Sequence, residues 1–486
     1  MNYKMMGRFI AQILSLEGIF MLPALTISVH LGEHPAIRGF AATIVILLAI
    51  SAALRMLCRG AKSNFYATDG MVCVALSWII LSLTGCLPFV ISREIPRFID
   101  ALFEIVSGFT TTGASILPAV ENLSKGILYW RSFSHWVGGM GVLVFLLAIV
   151  PSGERGKGFT MHLLRAESPG PSVGKLVPRM RKTAAILYIL YVILTVANIV
   201  FLLLGGMPAF EAVCNAFGTA GTGGFGVRND SFASYSPYLQ NVTTVFMFLF
   251  GVNFSCYYLL LIGQVRSVLK DEELRAYFGI AFVSIALIAW NIRSLYGTLG
   301  ETLRHAAFQV SSIMTTSGFA TTDFDLWPSF SKTILLVLMV IGASAGSTGG
   351  GIKVARVLLL FKSLRRSFLQ MLHPNRVQLV RNNDQVVDEK VVESTNAYLI
   401  AYVFILFLSF LVLSLDGFST GTNFSAVLCC FNNIGPGLEA VGPTCNFSGF
   451  SVLSKLVLIT DMLLGRLEIF PILCLLSRHT WRRQVK

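Results

Sequence analysis

Charge is scarce in this chain: Asp, Glu, Lys and Arg make up 13% of its 486 residues, about half the share of a soluble domain. A soluble protein of this length could not cover its surface with so few charges. Hydrophobic residues reach 54%, so the solvent this chain is built for is largely lipid. Ligand patterns are lacking as well. The nine cysteines contain no C-x-x-C pair, are odd in number and sit mostly in apolar runs, which implies neither a disulfide framework nor a metal site. His30, His34, His162, His305, His373 and His479 show no metal-ligand spacing.

What the sequence does have is long charge-free runs. Residues 71–92, 132–153, 183–210, 231–265 and 394–415 each exceed the ~18 residues that mark a membrane helix. Ten spans are expected, near 9–32, 39–58, 71–92, 132–150, 183–206, 236–262, 276–292, 333–361, 394–415 and 451–477. Lys4 and Arg8 before the first run resemble a signal peptide, but Glu17 lies inside the run and no small-x-small site follows. An uncleaved first span is therefore expected. With both termini on one side, the segments on that side hold 27 Lys and Arg and the opposite segments 10. The positive-inside rule then puts both termini in the cytoplasm. The net charge of +13 is an orientation signal, and no nucleic-acid partner follows from it.

After two leading spans (1–67) the other eight pair up, each pair joined by a long outward connection: 93–131, 207–235, 293–332 and 416–450. This divides the chain into repeats at 68–165, 166–268, 269–370 and 371–486. Each connection holds a stretch of re-entrant length ending at a glycine. The four turns are Thr111-Thr112-Gly113, Gly221-Thr222-Gly223, Thr316-Ser317-Gly318 and Asn433-Ile434-Gly435. Non-helical backbone survives at membrane depth only when it lines a cavity or is buried in protein. Four such turns entering from one face can meet on a pseudo-fourfold axis, where a ring of carbonyls replaces a cation's hydration shell. Glycine lets the backbone reach positive φ there, and short preceding helices aim negative C-terminal ends at the centre. The expected fold is thus an all-α polytopic membrane protein of four membrane–pore–membrane repeats around a central ion pore.

Residues 342–351 are all small and half are glycine, among them Gly346, Gly349, Gly350 and Gly351. Each interior glycine costs a helix about 1 kcal/mol, so the span unwinds into a flexible gate, or the small residues serve close helix packing. Arg466 sits among apolar residues in the last span, a placement that costs at least about 2.5 kcal/mol. It is expected to face the pore below the filter and bond carbonyls freed by the 342–351 break; a salt bridge with Asp461 or Glu468 is the competing reading. Lys353 and Arg356 follow the glycine run, as positive-inside anchors or as a coupling point for a regulatory subunit. Gly342-Ala343-Ser344-Ala345-Gly346 matches the G-x-S-x-G of hydrolases, but the strand and helix that motif requires are lacking.

Five stretches carry a resemblance to a known family. They are Ser107–Ser115 around Gly113, Asn432–Leu438 around Gly435, His135-Trp136-Val137-Gly138-Gly139-Met140-Gly141, Gly346–Lys353 and Met462–Glu468. The chain resembles the Trk/Ktr/HKT superfamily of potassium transporters, most of all its bacterial TrkH/TrkG membrane subunits. The resemblance implies potassium as substrate, 342–351 as an intramembrane gating loop and a bacterial inner-membrane location. It also implies a homodimer in membrane lipid, controlled by a cytosolic TrkA-like ring of RCK subunits that would carry any ATP or NAD, and no enzymatic activity. Glycine in all four turns goes with potassium preference in the family, and serine in the first with sodium permeability. One departure is Glu167-Ser168-Pro169-Gly170-Pro171, where relatives often have Glu-Met-Pro-Gly-Pro. A proton- or sodium-coupled carrier remains the alternative to a pore.

Overall fold

The computed structural model describes residues 1–60, 66–139, 141, 180–375 and 378–481. Tyr3–Phe20 and Leu22–Leu31 form one span, interrupted at Met21 just before Pro23, whose missing N–H suits the first turn of a new helix. His34–Leu57 packs back along it. Glu17, buried within the first span, accepts a hydrogen bond from Thr84 Oγ1 at 2.6 Å, fastening this pair to the helix Ala67–Gly85.

Four short helices then recur between longer ones: Phe98–Phe109, Ala209–Gly221, Leu299–Met314 and Thr420–Phe431. They fall in the four connections where re-entrant stretches are expected, and we call them pore helices on that expectation. Each is buried along most of its length although bounded by polar loops. Their seating is cyclic. The first packs on Val452–Arg466 of the fourth repeat and the second on Lys125–Gly139 of the first. The third packs on Pro237–Gly251 of the second repeat, and the fourth on Ser329–Val340 of the third. Each repeat therefore rests on the one before it, and the series closes.

Large apolar residues face outward on the outer helices. Ile189, Ile193, Val196 and Val200 line one face of Met180–Leu204, and Ile400, Phe404, Phe407 and Leu411 one face of Glu389–Leu413. Rows at three- and four-residue spacing, this exposed, are a lipid-facing surface. The chain is a multi-pass, all-α membrane protein.

The spans expected as continuous at 236–262 and 451–477 are broken. Pro237–Gly251 and Phe254–Leu261 bend by 89°, with Val252 extended and Asn253 capping the second piece through a bond from the Ser255 amide. Val452–Arg466 gives way to Phe470–Leu476 through Glu468 and Ile469, both at positive φ. Between Val340 and Val354 no helix forms. The break in the second repeat and that in the third satisfy each other: the Ser344 amide donates to the Gly251 carbonyl, the Phe254 amide to the Gly346 carbonyl and the Thr348 amide to the Phe250 carbonyl. Backbone groups released from one helix are paired by the other, which is what burial in lipid requires. Residues 142–150 of the fourth span and the Glu167–Pro171 stretch lie outside the described residues.

Candidate functional site

Each pore helix ends in the same way. Past each helix one amide donates back to the carbonyl five residues earlier, and the amide before it to the carbonyl three earlier. The pairs are Thr112 to Ser107 with Thr111 to Gly108, and Gly223 to Gly218 with Thr222 to Thr219. In the later repeats they are Ser317 to Ser312 with Thr316 to Ile313, and Ile434 to Cys429 with Asn433 to Cys430. This is the Schellman closure, whose turning residue must be left-handed and is usually glycine. Here the turning residues are Thr111, Thr222, Thr316 and Asn433, at φ 57°, 55°, 59° and 55°. A left-handed, non-glycine residue costs on the order of 1–3 kcal/mol, so four in register mark a site whose surroundings impose the conformation. The sequence motifs do not reveal this strain.

The glycines at positive φ come two residues later: Gly113, Gly224, Gly318 and Gly435, at 81°, 79°, 73° and 103°. The second turn thus reads Thr222-Gly223-Gly224, one residue on from the register expected from sequence, and Gly221 takes the place of Thr110, Thr315 and Asn432. Three glycines within four residues hid the frame. Gly223 is needed for a different reason, since a side chain there would collide with the His135 ring.

The four glycines encircle one centre. A Cβ on Gly113 would overlap the carbonyl oxygen of Gly223, one on Gly224 that of Ser317 and one on Gly318 that of Ile434; one on Gly435 would lie 2.8 Å from that of Thr112. Every contact runs to the next repeat and the last returns to the first. Among the described residues no donor bonds the carbonyls of Thr112, Gly223, Ser317 or Ile434. A closed ring of buried carbonyls without donors is a cation site in the making. The pore-helix C-termini feed straight into it, and Asp100, Glu211 and Glu301 sit at the N-terminal ends of three of these helices, where they complement the dipole.

The residues that support the ring are not singled out as supports by the sequence, although His135 heads one of the stretches that carry the resemblance. Glu104, fully buried in the first pore helix, pairs with Arg131 at 2.5 Å and accepts bonds from Ser115 Oγ and the Ile116 amide. Arg131 also donates to the Gly226 carbonyl at 3.0 Å and stacks on Phe225. His135 bridges two repeats: Nδ1 lies 2.7 Å from the Gly108 carbonyl and Nε2 accepts from the Phe225 amide at 3.2 Å. These partners define a neutral imidazole protonated on Nδ1. His135 is a strut.

The 342–351 stretch lies directly against the third and fourth turns. The Gly350 amide donates to Thr316 Oγ1 at 2.7 Å, and a Cβ on Gly350 would lie 2.5 Å from the Asn432 carbonyl. Gly346 and Gly351 hold positive φ, and a Cβ on Gly349 would crowd Ala343 and the Thr315 carbonyl. Arg466 reaches in from the last repeat. Its guanidinium donates to the Thr348 carbonyl at 2.9 Å and the Gly139 carbonyl at 2.8 Å, and further to Gly138 and to Thr111 Oγ1 at 3.4 Å. Glu468 instead pairs with Arg356, and Asp461 accepts from Ser409. Lys353 and Arg356 are not at an exposed inner surface: Lys353 is 2% exposed and donates to the Gly349 and Gly350 carbonyls, and Arg356 stacks on Tyr398. Desolvation explains the difference, because charges drawn into protein by an unwound segment bind the carbonyls that segment frees.

Residues 36–481 match the TrkH family, described as a cation transport protein. The chain belongs to that family. It is 36% identical to the Trk system potassium uptake protein TrkH of Salmonella typhimurium, covering 99% of this chain and 100% of the relative. It is 33% identical to Trk system potassium uptake protein TrkG of Escherichia coli K12, covering 96% of each. The crystal structure of the potassium transporter TrkH from Vibrio parahaemolyticus superposes with a TM-score of 0.89 at 32% identity, covering 99% of this chain and 100% of that one. This is a TrkH/TrkG-type membrane subunit of the Trk/Ktr superfamily.

Proposed function

We propose that this chain carries potassium across the bacterial cytoplasmic membrane, as the membrane subunit of a Trk-type uptake system with both termini in the cytoplasm. The observation that carries the proposal is the closed ring in which each positive-φ glycine abuts a donor-free carbonyl of the next repeat. Carbonyls of Thr111, Thr112 and Gly113 and of the matching residues in the other three turns substitute for the water around a dehydrated ion. The 342–351 loop, with Gly346, Gly349, Gly350 and Gly351, obstructs the path beneath the filter, and Arg466 pins it there through the Thr348 carbonyl. Lys353 belongs to the same plug. The assembly proposed is a homodimer controlled by a cytosolic nucleotide-binding RCK ring; the relatives are named as proteins of a Trk system, which supports association with further Trk components.

The test uses purified protein in liposomes, with ⁸⁶Rb⁺ uptake measured against competing potassium and sodium. Uptake suppressed by potassium at concentrations where sodium has no effect is the expected result; equal competition overturns the filter. Unitary currents in a planar bilayer separate a pore from a carrier.

A further inference from the structure

The unwound loop is held from outside as well as from the pore. Glu273 lies in the first turn of the helix Glu272–Ile292 and is 9% exposed. Its Oε1 accepts the Ala345 amide at 2.5 Å and the Ala355 amide at 3.2 Å. Ala345 is inside the break, and Ala355 is in the first turn of Val354–Leu372, the helix that follows it. One carboxylate oxygen therefore spans the loop. It joins an amide that no helix satisfies to one of the orphan donors at a helix N-terminus, where an anion is also favoured by the dipole.

The turn bearing Glu273 is itself gripped by a hairpin on the face assigned above to the cytoplasm. Arg381–Asn382 pairs with Gln385–Val386, and the two residues between, Asn383 and Asp384, both have positive φ, the geometry of a tight two-residue hairpin turn. Asn383 accepts from the Glu272 amide at 2.9 Å and donates to Asp271 Oδ2 at 2.8 Å. Lys362 donates to the Arg381 carbonyl at 2.8 Å and pairs with Glu272. The tip of an exposed hairpin is thus one residue removed from the carboxylate that spans the gate loop.

We propose that Glu273 is a positioning residue for gating: it latches the 342–351 loop closed, and the Asn383–Asp384 tip fixes where the latch sits. A partner that displaces the hairpin would thereby release the loop. The proposal deepens the gate reading given above and rests on it.

Basal ⁸⁶Rb⁺ flux of the full chain in liposomes, with no partner added, tests it. Glu273→Ala removes both bonds and raises flux about tenfold, the change in an equilibrium that one charge-assisted hydrogen bond commands. Glu273→Gln keeps an oxygen that accepts both amides but gives up the charge, so its flux lies between those of the unmodified chain and Glu273→Ala. Asn383→Ala raises flux by a smaller factor. Hydrogen–deuterium exchange supplies the readout that general destabilisation would not mimic: in Glu273→Ala, peptides covering 343–356 lose protection while the pore helices keep theirs. Arg466→Ala is the control. If it raises flux while folded Glu273→Ala changes neither flux nor exchange, the latch is refuted and the gate stands; if neither variant raises flux, the gate reading itself has failed. Should Glu273→Ala not fold, Asn383→Ala on the exposed hairpin decides, and unchanged flux there overturns the proposal.

Discussion

Replacing Arg466 by alanine is the sharpest perturbation of the proposed plug. The guanidinium bonds three backbone carbonyls, of Thr348, Gly138 and Gly139, and touches the Thr111 hydroxyl at a longer 3.4 Å. In an open path water would satisfy the same donors, so only the net worth of each bond counts, about 1 kcal/mol. Of the three, the Thr348 bond reaches the loop and holds it closed by about 1 kcal/mol, or roughly fivefold in the gating equilibrium, while the Gly138 and Gly139 bonds fix the guanidinium in place. A second effect has the same sign. A fixed positive charge within ~4 Å of a passing cation opposes it by about 4 kcal/mol at an effective dielectric constant of about 20. Arg466→Ala removes both barriers, and ⁸⁶Rb⁺ flux into liposomes should rise at least about tenfold once conduction through the filter becomes limiting. Arg466→Lys retains the charge but loses the planar fork, so its flux should fall between the two. Size-exclusion profiles and Tm confirm that the variants are folded. Flux that falls or stays level in folded Arg466→Ala refutes the argument.

Other predictions follow from the ring and its supports. Gly113→Ser must place a Cβ at φ 81° against the Gly223 carbonyl, so the potassium-over-sodium ratio from competition of ⁸⁶Rb⁺ uptake should fall about tenfold or more, the factor that a 1.4 kcal/mol distortion of the site produces. Gly224→Ala should lose most transport, since its Cβ overlaps the Ser317 carbonyl, whereas Gly226→Ala, with no atom nearer than 3.7 Å, should transport normally; equal uptake by the two would refute the corrected register of the second turn. Arg131→Met leaves the Glu104 carboxylate buried and unpaired, which costs about 3–5 kcal/mol. Tm should drop sharply, and the double variant with Glu104→Gln should recover part of the loss. Lys353→Met removes a buried ammonium from the Gly349 and Gly350 carbonyls and should raise basal flux less than Arg466→Ala does.

The sequence by itself determined the class and the count. Sparse charge and long apolar runs specify a lipid-embedded chain whatever its tertiary detail, because hydropathy acts over whole segments. Four glycine-bearing turns at about hundred-residue spacing specify the repeats, because backbone that leaves a helix at membrane depth must line something or be buried. The small residues of 342–351 likewise announce a break by their own helix propensities.

What the tertiary structure decided were matters of pairing between distant residues. The second turn's frame is settled by Thr222 adopting the left-handed state and by Gly224 meeting Ser317, neither of which local propensity encodes when three glycines stand together. No sequence spacing pairs Glu104, Arg131 and His135, and they become struts only when Gly108, Phe225 and Gly226 are brought beside them. Lys353 and Arg356 look like surface anchors until the break beside them supplies carbonyls and Glu468 supplies a counter-charge. A burial pattern along one helix says which face is dry; which partner waits there depends on how the four repeats close around their axis.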